Sequence, residues 1–377
     1  MPLRNVGCRM LAGLLLAGAS MSVDAAGPRL TPPPSLTGEA MRPTPAAASS
    51  FEARLVANLP PYRPDGTVSG TISIWGHGNI KLPWMHALVE SWQKGFQRFH
   101  PDIRFDYQMH GTSSGIPALF TGAGDVAILG EEILPKAAAA FEKMKGYPPL
   151  GIEIATGSLD VRNFDYAQMV FVHKDNPLTQ LTLAELDAVF GHEHRRGATN
   201  IRRWGQLGLG GEWMDQPIMP YGWAIDDSFG FYIQQAVLEG SHRWNNDLRE
   251  YAHITYADGS IYDHGQQILD ALARDRHGIA ISNIRYAGPD VKALALGLHA
   301  QGPFYPASKE TLVDHRYPLA RAIPAVVDRA PGMPLEPKLR EFLRFLLSRE
   351  GQALINADGR YLPLAPELIA EQLRKIE

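Results

Sequence analysis

From Thr71 onward, short runs of β-type composition alternate with runs whose apolar residues recur at helical spacing, and no other feature restricts the chain more. Residues 71–75 read as a buried strand. Pro83 holds a natural first helical position ahead of Met85, Leu88, Val89, Trp92, Phe96 and Phe99, which share one helix face and are read as core. Ile103, Phe105, Tyr107 and Met109 alternate with polar residues as a second strand. A Gly/Ser/Thr turn follows, then a helix from Ile116 and a strand over 125–129. Further on, 168–172 reads as a strand, and Thr182 with Glu185 makes a capping box for a helix through Phe190. Residues 266–272, 278–282, 320–327 and 338–356 read as helix, strand, strand and long helix, with Gly359 as the stop of the last. Strand and helix in alternation imply an α/β fold of mostly parallel sheets flanked by helices.

The first residues do not share this pattern. Arg4 and Arg9, an apolar stretch from Met10 to Met21, and the small residues of Val23-Asp24-Ala25 are those of an export signal over residues 1–25, cleaved after Ala25. The apolar stretch is about a dozen residues, against the ~20 of a membrane span. Cys8, the single cysteine, precedes that stretch, which is the wrong side for lipid attachment. The exported chain would hold no thiol, which fits an oxidising compartment reached without disulfides. Residues 26–67 are rich in Pro, mixed with Ala, Ser and Thr, and are expected to form a disordered tether, with the folded body starting near Val68. The chain's 377 residues make about two domains and can bury a sizeable core. With 36 Lys plus Arg against 40 Asp plus Glu, it lacks the basic excess that nucleic-acid or anionic-membrane binding needs.

Several constellations compete for function. Gly111-Thr112-Ser113-Ser114-Gly115, between a strand and a helix, matches the GxSxG nucleophile elbow, which would make Ser113 a hydrolase nucleophile. A base and an acid would also have to converge on Ser113, and nothing in the spacing of the 13 histidines specifies them. The same turn offers N–H groups and hydroxyls at a helix start, which suit an oxyanion or serve only as a cap. His192-Glu193-His194 lacks a third ligand at metal-site spacing and reads as a solvated loop. Gly205, Gly208, Gly210 and Gly211 lack the Lys of a phosphate-cradling loop.

Taken together, GHGNIKLPWMHALVESWQKGF, GTSSGIPAL, MVFVHKDNPLTQLTLAELDAVF, NIRRWGQLGLGGEW, HGIAIS, YPLARAI and FLRFLLSREGQALINADGRYLPL resemble the phosphate-binding periplasmic component of ABC transporters, a type II solute-binding protein. The likeness runs from about residue 68 to 370. It implies a two-lobed type II periplasmic-binding-protein fold, with lobe I at 68–158 plus 321–377, lobe II at 159–320, crossovers near Gly157 and Arg321, and a ligand cleft closed by a hinge. It also implies a periplasmic, monomeric receptor that passes an oxyanion such as phosphate to an ABC transporter permease, with no catalytic residue, metal or cofactor. The matching ligand positions are Gly78, Asn79, Ile80 and Lys81; Thr112, Ser113 and Ser114; Gly130 and Glu131; and the segment from Tyr221 to Gly230.

The last segment departs from the family pattern. Trp223 stands where the family has Arg, and Asp227, Ser228 and Phe229 stand where it has Ser, Gly and Thr, with Asp226 beside them. Tight phosphate binding is therefore expected to be lost or weakened, and Lys81 is the nearby cation that could compensate. The rival expectation is a neutral or cationic organic ligand stacked on Trp223 and bonded to Asp226 and Asp227.

Overall fold

The computed structural model describes residues 50–78, 84–108, 110–161 and 166–377. The export signal, the first part of the Pro-rich stretch, Asn79, Ile80, Lys81, Pro83 and Met109 lie outside them. In the first half of the chain, helix α1 (Phe51–Ala57) is followed by strand β1 (Gly70–Gly76), α2 (Trp84–Gln97), β2 (Ile103–Gln108), α3 (Gly115–Thr121), β3 (Val126–Ile128), α4 (Pro135–Lys145) and β4 (Leu150–Thr156). The second part contains β5 (Met169–His173), β6 (Gln180–Thr182), α5 (Leu183–Phe190), β7 (Met219–Trp223), α6 (Ser228–Ala236) and β8 (Arg249–Tyr251). It continues with β9 (Ile254–Thr255), β10 (Ile261–Tyr262), α7 (His264–Leu272), β11 (Gly278–Ser282), β12 (Val291–Ala293), β13 (Ala295–Gly297), β14 (Phe304–Tyr305) and α8 (Lys309–Val313). The chain ends with β15 (Ala322–Val327), α9 (Pro337–Leu346), α10 (Arg349–Asp358) and α11 (Pro366–Ile376).

Two five-stranded sheets result, in the orders β2-β1-β3-β15-β4 and β12-β5-β11-β7-β8. The expected alternation is present, but the pairing is mixed rather than mostly parallel. β1 runs parallel to β2 and β3, while β15 runs against β3 and β4. In the second sheet β7 is parallel to β11 and β8, whereas β5 is antiparallel to β11 and β12. The cause is topological: β15 returns from the second sheet instead of arriving by a helical crossover, so it enters the first sheet from the opposite end.

Each sheet has its own apolar core. Ile72, Ile74, Val126 and Ile128 of the first sheet pack with the α2 face of Met85, Leu88, Val89, Trp92 and Phe96 and with Phe342, Leu343 and Phe345 of α9. β5 and β11, buried at nearly every position, pack with Phe190, Trp204 and Ile268 in the second. The chain crosses between the sheets twice. The Gly157 N–H donates to the Arg321 carbonyl at 2.8 Å, and the Gln168 N–H to the Leu319 carbonyl at 3.3 Å, so the two crossings run side by side. No helix among the described residues is long and apolar enough to cross a membrane.

Two further expectations are corrected. Residues 50–67 are part of the fold, not tether: Ser50 caps α1, α1 packs on α10, and Leu59 and Tyr62 are buried in the first core. Isolated apolar residues among prolines suffice here, because Tyr62 donates its hydroxyl to the buried Glu341 carboxylate at 2.6 Å and pairs with His100 Nε2 at 2.8 Å. The helix read over 338–356 is two helices. Ser348 breaks it, accepting from the Gly351 N–H at 3.3 Å as cap of α10 while its hydroxyl donates to the Phe345 carbonyl at 2.7 Å. Gly359, at φ 72°, does end α10.

Candidate functional site

The ends of β1 and β3 and the turn before α3 meet at one corner of the first sheet. Gly111, at φ 89°, opens a 3-10 turn over Thr112–Ser114 that runs into α3. Thr112 Oγ1 accepts from the Gly130 N–H at 3.1 Å, and Ser114 Oγ donates to the Gly111 carbonyl at 2.8 Å. Ser113 is exposed, and among the described residues no imidazole is bonded to it. Next to Gly78, the His77 ring lies between Thr112 Oγ1 (3.4 Å from Nδ1) and the Tyr361 hydroxyl (2.8 Å from Nε2). It lies so close over Gly130 that a Cβ there would stand 2.1 Å from His77 Cε1. Burial pushes the imidazole down to about 4, so it is neutral at pH 7. Gly78, Thr112 and Gly130 thus share a corner whose floor is an imidazole. The sequence shows His77 inside GHGNI, but only the fold brings Tyr361 from the far end of the chain to hold it.

Opposite stands the segment from β7 to α6. Trp223 closes β7 and is 2% exposed. Its Nε1–H donates to Gln168 Oε1 at 2.6 Å, and Phe229 (4.9 Å) and His264 (4.6 Å) cover the ring. The expected stacking of a ligand on Trp223 is therefore corrected: the indole is a packing element beneath the start of α6, with no face open to a solute. Asp227 caps α6, its Oδ1 accepting from the Phe229 N–H at 2.9 Å, while Asp226 and Ser228 are exposed beside it.

A cavity of about 320 Å³ lies between the two sheets, lined by Glu131, Glu132 and Ile133 after β3, by Ser228 and Tyr232 of α6, and by Arg321 on the second crossing. Arg321 is 1% exposed. Its Nε donates to both oxygens of Glu132 at 2.8 and 3.0 Å and its Nη2 to Oε2 at 2.8 Å, with the guanidinium 4.2 Å from the Tyr232 ring centre. The Glu131 carboxyl is raised above the usual carboxylate range by burial, against the pull of Arg321 and with repulsion from Glu132 and Asp227. The fold thus brings Glu131 and Ser228 to one cavity, with the Asp227 charge close enough to act on Glu131, while Thr112, Ser113 and Ser114 are not part of its lining. It leaves Trp223 behind its wall. Arg321, which the sequence marked only as a crossover, is the guanidinium at this place, and Glu132 already holds it.

Metal-ligating atoms gather elsewhere than the sequence offered them. The His192-Glu193-His194 segment is a loop in which Arg195 takes the Glu193 carboxylate at 2.8 Å. Among the described residues, His253, Asp263 and His264 place one ligand atom each within 4.8 Å of the others.

Two α/β units strung on a double crossing, with a cavity between them, define a solute-binding protein, and the chain belongs to the PBP superfamily, whose domain matches residues 64–350. Its architecture is the type II periplasmic-binding-protein fold. Over 330 residues it is 28% identical to the phosphate-binding protein PstS of Pseudomonas aeruginosa, spanning 87% of this chain and 93% of that one. It is 24% identical to protein SphX of Synechococcus elongatus over 287 residues, 75% of this chain and 74% of that one. Among solved structures, PstS from Borrelia burgdorferi shares the fold with a TM-score of 0.51 at 15% identity, covering 78% of this chain and 99% of its own. The chain is a phosphate-binding-protein-like solute-binding protein, homologous to proteins that are not enzymes.

Proposed function

We propose that the chain is an exported, periplasmic receptor that captures a small polar solute in the cavity between its sheets and presents it to an ABC permease. Its lobes would be residues 68–158 plus 321–377 and residues 159–320, with 50–67 added to the first, hinged on the paired crossings at Gly157 and Arg321. In this reading Glu131 and Ser228 contact the solute from the cavity lining, Asp227 and the Thr112–Ser114 turn, which is bonded to Gly130 next to Glu131, reach it from the rim, and the phosphate dianion is a poor ligand. The observation that carries it is the charge at the cavity: Glu131 and Asp227 repel one another, and Glu132 neutralises Arg321. Where the family resemblance implies an Arg, this chain has a buried Trp223. A missing guanidinium contact is worth about 1.5–3 kcal/mol, a ten- to hundredfold loss of affinity.

One observation favours a second reading. A carboxyl raised by burial, as Glu131 is, holds its proton more readily and can donate it to an oxyanion, which would keep phosphate-like ligands in play. A thermal-shift screen against phosphate, sulfate, molybdate, phosphonates, sugars and amines separates the two. A ligand at a hundred times its dissociation constant adds about 2.7 kcal/mol of stability. The first reading expects the largest shift from a sugar or amine. A dominant shift with phosphate or molybdate would favour the second, and silence across the panel would count against both.

A further inference from the structure

We infer that the base of the β9–β10 hairpin and the start of α7 form a binding site for one divalent transition-metal ion, with His253, Asp263 and His264 as ligands and Asp227 closing it from the start of α6. The local fold brings these residues together for its own reasons. Ile254 pairs with Tyr262 and Thr255 with Ile261 in an antiparallel ladder, so the next residues outward, His253 and Asp263, meet at the open end of the hairpin. Asp263 is also the cap of α7, and its Oδ1 accepts from the Gly265 N–H at 2.9 Å, which fixes the carboxylate. His264 is the first residue of that helix and is buried. Its backbone N–H donates to His253 Nδ1 at 3.3 Å, and the two imidazoles lie 3.9 Å apart, tilted by 31°. Asp227 Oδ2 stands 3.8 Å from His264 Nδ1. Two imidazoles and two carboxylates therefore converge from a hairpin and two helix starts.

This donor set points to a class of ion. Imidazole nitrogen selects zinc, nickel and copper over magnesium and calcium, which prefer oxygen alone, and two His with two Asp is a four-coordinate set that zinc accepts. Zinc bonds of about 2.0–2.1 Å place tetrahedral donors roughly 3.3 Å apart. The three atoms here, within 4.8 Å of one another, reach that spacing by side-chain rotation, and His253 is exposed and can swing. His253, Asp263 and His264 take no part in the solute reading, and Asp227, which both readings use, is left intact in the variants that test the metal site.

Calorimetry with Zn²⁺ alone, on tag-free protein stripped with a chelator and held in phosphate-free buffer, tests it. One Zn²⁺ should bind per chain, and His253→Ala or Asp263→Asn should weaken binding at least about tenfold, the scale at which even supporting residues of a metal site act. His192→Ala, in the exposed loop, should change nothing. Co²⁺ should give the visible absorption of a four-coordinate ion in the wild type and lose it in His253→Ala, a surface variant whose unfolding temperature should match the wild type. Absence of Zn²⁺ heat and Co²⁺ absorption, or binding that survives both His253→Ala and Asp263→Asn, would overturn the assignment. Because phosphate and organic solutes are left out, failure here leaves the solute reading standing, and the reverse also holds.

Discussion

Replacing Arg321 by Met should destabilise the fold by about 3 kcal/mol, the low end of the ~3–5 kcal/mol for removing one partner of a buried ion pair. The guanidinium is 1% exposed, and the Glu132 side chain that accepts its three contacts is 34% exposed, so water recovers part of the loss. The decisive variant is the double one. Glu132→Gln removes the stranded charge while keeping an acceptor for the Ala322 N–H, which donates to Glu132 Oε1 at 3.1 Å. In urea unfolding at pH 7, Arg321→Met with Glu132→Gln should therefore lose roughly 2 kcal/mol less than the two single losses added together. The experiment matters for ligand binding because it asks whether Arg321 is committed to Glu132. If Arg321→Met cost less than about 1 kcal/mol, or if the losses simply added, the pair would not be coupled and the guanidinium would be available to an anion.

Other expectations follow from single contacts. Tyr62→Phe should cost about 1.5–3 kcal/mol in urea unfolding, since it strips a donor from the buried Glu341; a change below about 0.5 kcal/mol would return residues 50–67 to the status of a tether. Gly130→Ala drives a methyl into the His77 ring and should lose about 1–3 kcal/mol, part of it recovered by His77→Ala in the same chain; equal stability of Gly130→Ala and wild type would mean that the ring is not seated there. Glu131 carries a pH signature of definite sign. Its folded carboxyl is raised by burial above the ordinary value of 4.5, so its cost is absent below that value and develops as pH rises through the folded one. Glu131→Gln should then raise the unfolding temperature at pH 8 and give no gain at pH 4, and a gain independent of pH would remove burial as the cause.

Much of the framework was legible because periodicity acts locally. The α2 face from Met85 to Phe96 and the Thr182–Glu185 capping box rest on neighbours a few residues apart, and the parallel pair β1 and β2 on a single helical crossover. The break at Ser348 was not legible, since the apolar spacing runs on across it and the cap depends on one hydroxyl serving two helix ends. The N-terminal segment was hidden for a different reason. Leu59 and Tyr62 are single apolar residues among prolines, and the Tyr62 partners Glu341 and Phe345 lie nearly three hundred residues away. The candidate site divides the same way. Thr112, Ser113 and Ser114 could be singled out from their turn and Glu131 only from the family resemblance, whereas the burial of Trp223 depends on Gln168 and His264. The role of Arg321 depends on where the second crossing passes Glu132.

On the proposed reading, the charges around the cavity of this solute-binding protein disfavour the phosphate dianion. Calorimetric titration of the purified protein with phosphate at pH 7.5 tests it most directly. Binding should then be at least about tenfold weaker than submicromolar, with a dissociation constant of about 10 µM or above. Submicromolar phosphate affinity that Trp223→Ala and Asp227→Ala leave unchanged would contradict it, because the segment from Tyr221 to Gly230 would then not govern the site.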